Sequence, residues 1–227
     1  MNDTTTIASR LAAVRERLHE AARRAGRDPE SVHLLAVSKT KPESMIREAY
    51  AAGQRDFGEN YVQEMVAKSA ALADLSDIRW HLIGPLQRNK AKLVVPITSL
   101  VHTVDRASLA AELSRRAEAA GRTVRVLLEV NVAGEASKAG CAPEDAAPLA
   151  DAVRGFPNLT LAGLMTIPPD TDDRELARPY FRRLREIRDS LGGLPELSMG
   201  MSHDFEIAIE EGATIVRVGT AIFGSRT

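Results

Sequence analysis

Eight short apolar runs recur along the chain, and most of the gaps between them carry the hydrophobic spacing of a helix. The runs are VHLLAVS (32–38), RDFGE (55–59), RWHLIG (79–84), LVHTV (100–104), VRVLLEVN (124–131), LTLAGLM (159–165), ELSMGM (196–201) and TIVRVG (214–219). Brief, nearly continuous apolar runs suit strands buried on both faces. Helical patterns stand between them at 42–53, 107–121, 143–155 and 178–193, with a shorter one at 204–212 for which Asp204 is the expected N-cap. Proline near the start and glycine at the end punctuate several of these segments, as Pro42 and Gly53 do, and Pro179 and Gly192. The third and fourth runs are separated only by a short basic segment, 86–93. Such alternation predicts an α/β fold, a single (β/α)8 TIM barrel over residues 1–227. An open doubly wound sheet is the alternative, but eight strands in a chain of this length favour closure.

An additional N-terminal helix is predicted over 7–25, where Ile7, Leu11, Val14, Leu18 and Ala22 share one face and Gly26 and Asp28-Pro29 end it. The sequence stops at Thr227, just after the eighth run, so no eighth outer helix is expected. The N-terminal helix is then available to cover the wall beside strands one and eight.

Composition narrows the partners. Thirty Lys and Arg against 31 Asp and Glu give a net charge of −1, which supplies no electrostatic reason for nucleic acid or a membrane as the main partner. Cys141 is the single cysteine, which excludes a disulfide framework and a cysteine-based metal site. The first residues, MNDTTTIASRL, hold no apolar leader, and no run approaches membrane-spanning length, so a cytoplasmic protein is expected.

In a barrel of this kind chemistry collects at the C-terminal ends of the strands. Lys39 ends the first strand, Asn60 follows the second, Met201 and Ser202 end the seventh, and Gly219 and Thr220 end the eighth. Alternation along strand one turns Lys39 inward if Leu35 and Val37 point inward. An amine above aliphatic layers is desolvated and nucleophilic, as a Schiff-base lysine needs. A lysine exposed in the loop is the plain alternative, and Lys41 shows how readily that loop supplies one. Arg217 stands in an apolar strand with Ile215 and Gly219 as its inward companions, and a buried guanidinium needs a partner. That partner is either a carboxylate such as Glu129 or a ring nitrogen of a bound cofactor. After strands seven and eight, backbone N–H groups with the Ser202 and Thr220 hydroxyls would form an anion cradle where barrels often hold phosphate.

The histidines read as structural. His33 and His81 are expected in the core or wall, His19 on the helix surface, and His203 beside the cradle facing solvent. His102 has Asp105 near it in sequence but no third ligand at metal spacing, so no metal site is assigned. The arginine-rich stretches 182–188 and 114–116 read as solvated helix faces.

A strand-one lysine, a strand-eight arginine and a phosphate cradle together suggest pyridoxal 5′-phosphate (PLP). The stretches LLAVSKTKP, FGENYVQE, WHLIGPLQRNK, LEVNVAGEASKAG, GLMTIPP, LSMGMSHDFEIAIEEG and VRVGTAIFG, spread over 34–224, resemble the PLP homeostasis proteins, single-domain barrels related to the N-terminal domain of alanine racemase. The resemblance implies that Lys39 forms the internal aldimine and that Ser202, Gly219 and Thr220 hold the phosphate, with Met201 beside them. It also implies that Arg217 faces the pyridine nitrogen and that Asn60 lies near the ring. Lys138 matches a lysine of the family's SKxG stretch, so it is either a second, transient PLP contact or a loop surface charge.

The expected function is to carry or buffer PLP as a lysine Schiff base for intracellular PLP homeostasis, as a monomer with apo-PLP enzymes as recipients. No residue is assigned as catalytic. A permanently protonated arginine would keep the ring nitrogen unprotonated and so weaken the cofactor as an electron sink. The second-face tyrosine that alanine racemase draws from another domain has no counterpart here, because Tyr50, Tyr61 and Tyr180 fall on predicted helices. A weak PLP-dependent amino-acid racemase is the alternative. A third reading is a barrel for a phosphorylated metabolite in which Lys39 is only a charge contact.

Overall fold

The computed structural model describes residues 6–135, 138–192 and 194–225. Eight strands run parallel in chain order: β1 (His33–Val37), β2 (Asp56–Glu59), β3 (Arg79–Leu82), β4 (Thr98–Val104), β5 (Val124–Glu129), β6 (Leu159–Met165), β7 (Glu196–Met201) and β8 (Ile215–Val218). They form a closed barrel in which β8 pairs back onto β1, Leu35 lying beside Arg217 and Ala36 beside Val218.

Outside the strands stand α1 (Ile7–Arg24), α2 (Glu43–Ala51), α3 (Val62–Ala71), α4 (Ala91–Val94), α5 (Ala107–Ala119), α6 (Ala146–Arg154), α7 (Arg178–Ser190), α8 (Phe205–Glu210) and α9 (Thr220–Phe223). Helix α3 occupies a gap for which the sequence reading gave no helix bounds, although it placed Tyr61 on a helix there. The short basic segment holds a 3₁₀ turn at 88–90 followed by α4.

Period-two alternation sorts each strand between two cores. Leu35, Val37, Ile83, Leu100, Leu127, Ala162, Met165 and Ile215 meet inside the barrel. The intervening side chains, among them Phe57, Trp80, Val101, Val126 and Val216, meet the helices outside. Burying each large aliphatic side chain contributes roughly 1.5–3 kcal/mol, so the double core carries the fold.

The expected apolar face of α1 is buried, with Ala21 added to it. The helix packs against α2, α8 and α9 and so covers the wall beside β1 and β8. Arg17 fixes it to α8 by pairing with Glu206 at 2.6 Å and lying over the Phe205 ring. The expectation of no helix after β8 is corrected. Helix α9 follows it directly because Ile222 and Phe223 bury themselves in the outer core, against which α1 also packs. Thr227 itself lies outside the described residues. Of the arginines in 182–188, Arg182 and Arg183 are exposed as expected, whereas Arg185 and Arg188 are partly buried. Arg178, Arg182 and Arg185 converge on Glu211, which is only 4% exposed, and tie α7 to the end of α8.

Candidate functional site

The C-terminal mouth of the barrel holds a cavity of about 500 Å³. Lys39, Asn60, Met201, Ser202, Arg217, Gly219 and Thr220 all line it, together with Val37, Ile83, Ile167, Asp170 and His203. The seven residues singled out from the sequence therefore share one pocket. They come from three adjacent segments of wall, β7–β8, β8–β1 and β1–β2, which closure of the barrel brings side by side.

Local sequence shapes that mouth. Gly200 adopts φ +89°, and an added Cβ would lie 2.5 Å from the Ala208 methyl and 2.9 Å from Phe205 Cα, so only glycine lets β7 turn into α8 there. Asp204 sits at the N-cap position of α8, but its carboxylate turns back and accepts the Met201 N–H at 2.6 Å instead of capping the helix. Burial pushes that carboxyl up, while the Met201 N–H and Arg217 oppose the shift. Asn60 rests its backbone on Gly84, where a Cβ would lie 2.2 Å from the Asn60 carbonyl oxygen. Ser202 Oγ accepts the Gly219 N–H at 3.2 Å and the Ala221 N–H at 3.5 Å, which ties the β7 loop to the start of α9 and leaves its own proton to donate.

Arg217 is buried to 4% exposure. It donates to Ser198 Oγ and to the Thr166 carbonyl, each at 2.8 Å. The carboxylate partner considered from sequence, Glu129, does not take these bonds. Serine and a backbone carbonyl satisfy the fork at lower desolvation cost. Burial lowers the guanidinium to about 10, and the Asp204 and Glu129 charges resist it, so it is protonated at neutral pH. Glu129 in turn is raised to about 7 by burial and by Asp105, against the pull of Arg217.

Behind Arg217 runs a feature that sequence reasoning missed. Ser198 Oγ lies 2.9 Å from His102 Nδ1, His102 Nε2 lies 3.0 Å from His81 Nδ1, and His81 Nε2 lies 3.1 Å from Asp56 Oδ1. Arg79 closes the far end on Asp56 with a two-pronged bond. A guanidinium only donates and a carboxylate only accepts. Arg217 therefore donates to Ser198 at one end, Asp56 accepts from His81 at the other, and the Ser198 hydroxyl and the two rings link them. Burial, then Arg217 and Arg125 among its neighbours, holds His102 well below its ordinary range. His81 is thus a core residue as expected, whereas His33 is exposed at the opposite mouth because it opens β1 before the strand enters the wall.

Lys138 lines a neighbouring cavity of about 470 Å³ that shares Ile167, Asp170, Met201 and His203 with the first. Its ammonium donates to the Pro168 carbonyl at 2.8 Å and pairs with Glu135. Two residues of its family stretch, 136 and 137, lie outside the described residues. Of the tyrosines, Tyr50 and Tyr180 are on helices as expected, but Tyr61 stands at the extended N-cap of α3, 59% exposed. None of the three is among the residues lining the main cavity. Among the described residues, no group of three or more His, Cys, Asp or Glu could hold a metal ion, and no helix is long and apolar enough to cross a membrane.

The sequence profile of the family described as alanine racemase, N-terminal domain, matches residues 9–227. A Pseudomonas aeruginosa protein named pyridoxal phosphate homeostasis protein is 55% identical over 98% of this chain and 96% of its own. A solved structure from Bifidobacterium adolescentis, titled an unknown protein, superposes with TM-score 0.91 at 41% identity, covering 98% of this chain and 97% of its own. The Synechococcus elongatus protein PipY, solved with PLP bound, gives TM-score 0.83 at 41% identity over 96% of this chain and all (100%) of its own.

Proposed function

The chain belongs to the pyridoxal phosphate homeostasis proteins, built on the alanine racemase N-terminal domain, and from that premise we propose that it carries or buffers PLP as a Schiff base on Lys39. The proposed unit is one barrel domain over residues 1–227, acting in the cytoplasm as a monomer that supplies apo-PLP enzymes.

One observation carries this reading. A single cavity presents an amine, a guanidinium, and a cradle of hydroxyl and N–H donors from the ends of β1, β7 and β8. PLP offers three complementary handles: an aldehyde that condenses reversibly with a primary amine with loss of water, a pyridine nitrogen, and a phosphate. Lys39 answers the first. Arg217 answers the second, since its fork is fixed by Ser198 and Thr166 with further N–H groups left over. Ser202, Gly219 and Thr220 answer the third, with Met201 and Asn60 bounding the ring. Val37 and Ile83 give the amine an apolar floor. The residues present therefore fit the group.

The proposed role is storage and delivery rather than turnover. Arg217 cannot give a proton to the ring nitrogen at neutral pH, and no tyrosine lines the cavity to serve as a base opposite Lys39.

An absorption spectrum of the protein as isolated, followed by borohydride reduction and peptide mapping, tests the reading. A visible band should be present, be lost in Lys39→Ala, and map to Lys39 after reduction. Equal colour in that variant, or an adduct elsewhere, refutes it. Deuterium exchange at Cα of alanine above the free-PLP background would instead favour a weak racemase.

A further inference from the structure

We propose that Lys68, Glu59 and Glu64 form a positioning clamp on the outer face of the barrel wall, which holds the backbone on both sides of Lys39 and thereby sets how its amine is presented to the cavity. The proposal rests on the reading of Lys39 as the aldehyde-binding lysine.

Alternation supplies the geometry. On β1, Leu35 and Val37 point into the barrel, so Ser38 points outward while Lys39 turns to the mouth. On β2, Gly58 faces inward toward Leu35 and Ile83, which turns Phe57 and Glu59 outward beneath α3. Helix α3 buries Val62, Met65 and Lys68 against that wall. The Lys68 ammonium spends its three protons on three acceptors: the Ser38 carbonyl at 2.7 Å, Glu59 Oε1 at 2.8 Å and Glu64 Oε1 at 2.7 Å. Glu59 Oε1 also accepts the Ser38 hydroxyl at 2.6 Å, and Glu64 Oε1 accepts the Thr40 N–H at 2.5 Å. The residue before Lys39 is thus held at two points and the residue after it at one.

Two further observations indicate that the clamp is there for the site. Thr40 sits at φ +62°, a left-handed conformation that a β-branched residue adopts only when its surroundings impose it. Glu59 is fully buried, its second carboxylate oxygen has no partner, and burial pushes its acid strength down. Buried ion pairs are seldom the most stable filling for such a space. A cluster that is poor for stability, placed directly behind the strand end that carries Lys39, is explained by holding that strand end.

The test uses the full chain loaded with PLP, with Glu64→Ala, Glu64→Gln and the paired substitution Glu59→Gln with Lys68→Met. Glu64 is partly exposed, so its loss spares the core, and the paired change removes both buried charges together. Glu64→Ala and the paired variant should each weaken PLP binding about tenfold, the scale of one lost charge-assisted hydrogen bond. Both should also shift the pH midpoint of the visible band, a readout that fold stability does not move. Glu64→Gln keeps the acceptor oxygen and should restore both. Binding within twofold of wild type with an unmoved midpoint, in folded protein whose adduct maps to Lys39, overturns the clamp. An adduct mapping elsewhere in the wild type overturns the underlying reading instead.

Discussion

The barrel interior is filled in two ways. One part is hydrocarbon: Leu35, Val37, Leu100, Leu127, Met165 and Ile215 in mutual contact. The other is a filament of hydrogen bonds from Arg217 through Ser198, His102 and His81 to Asp56. The hydrocarbon part needs only volume and alternation, and many residue combinations would satisfy it. The filament has one solution for each donor direction, since leaving any member unpaired strands a buried polar group. It passes from the floor of the mouth cavity to the opposite end of the barrel, where Arg79 anchors Asp56. The mouth thus inherits a fixed Arg217 from polar order below it, while Lys39 stands on the hydrocarbon side.

Substitutions on each side should separate the two roles. The largest effect is expected from Leu127→Ala in the hydrocarbon part, a loss of about 2–5 kcal/mol in a denaturant melt. It should leave the pH dependence of stability unchanged, and a loss below about 1 kcal/mol would mean that this interior is not close-packed. His102→Leu comes next, at about 1–3 kcal/mol, because it strands Ser198 and His81. A neutral outcome there would show that the filament contributes nothing net.

The smallest effect is on pH slopes, at most about 1.4 kcal/mol per pH unit for each group. The folded pKa of His102 lies well below 6.5, so below that pH the unfolded chain takes up a proton that the folded chain does not, and stability falls as pH falls. Glu129 titrates near 7 when folded, against an ordinary 4.5. Between those values the folded chain keeps a proton that the unfolded chain has released, so stability falls as pH rises. The two slopes oppose between 4.5 and 6.5. Relative to wild type, His102→Leu should make stability decline more toward pH 7, and Glu129→Gln should make it decline more toward pH 4.5. Parallel curves for all three proteins would remove both assignments.

Several parts of this arrangement were legible in sequence for a physical reason. A closed parallel barrel sends every strand's C-terminal end to one mouth, so Lys39, Asn60, Ser202 and Thr220 could be grouped without knowing a single distance. The filament could not be grouped this way. Its members sit in mid-strand, His102 and Ser198 are 96 residues apart, and nothing local marks them as partners. The clamp did leave a trace. Val62, Met65, Lys68 and Leu72 fall at helical spacing, which puts a lysine where the buried face of α3 requires an apolar residue. A glutamate ends the short strand DFGE above it, and the pair is not read from sequence because no buried helical face is traced in that gap.

What the sequence determined by itself was periodic: which segments are strands or helices, which face of each is apolar, and which residues stand at strand ends. These follow from local backbone geometry and from the transfer of apolar side chains out of water, both of which act along the chain. Tertiary structure alone decided who answers whom, that Arg217 is met by Ser198 and Thr166 rather than Glu129, and that Lys68 stands behind Lys39. Hydrogen bonds are short and directional, so their partners exist only once closure of the barrel has brought distant strands to within 3 Å.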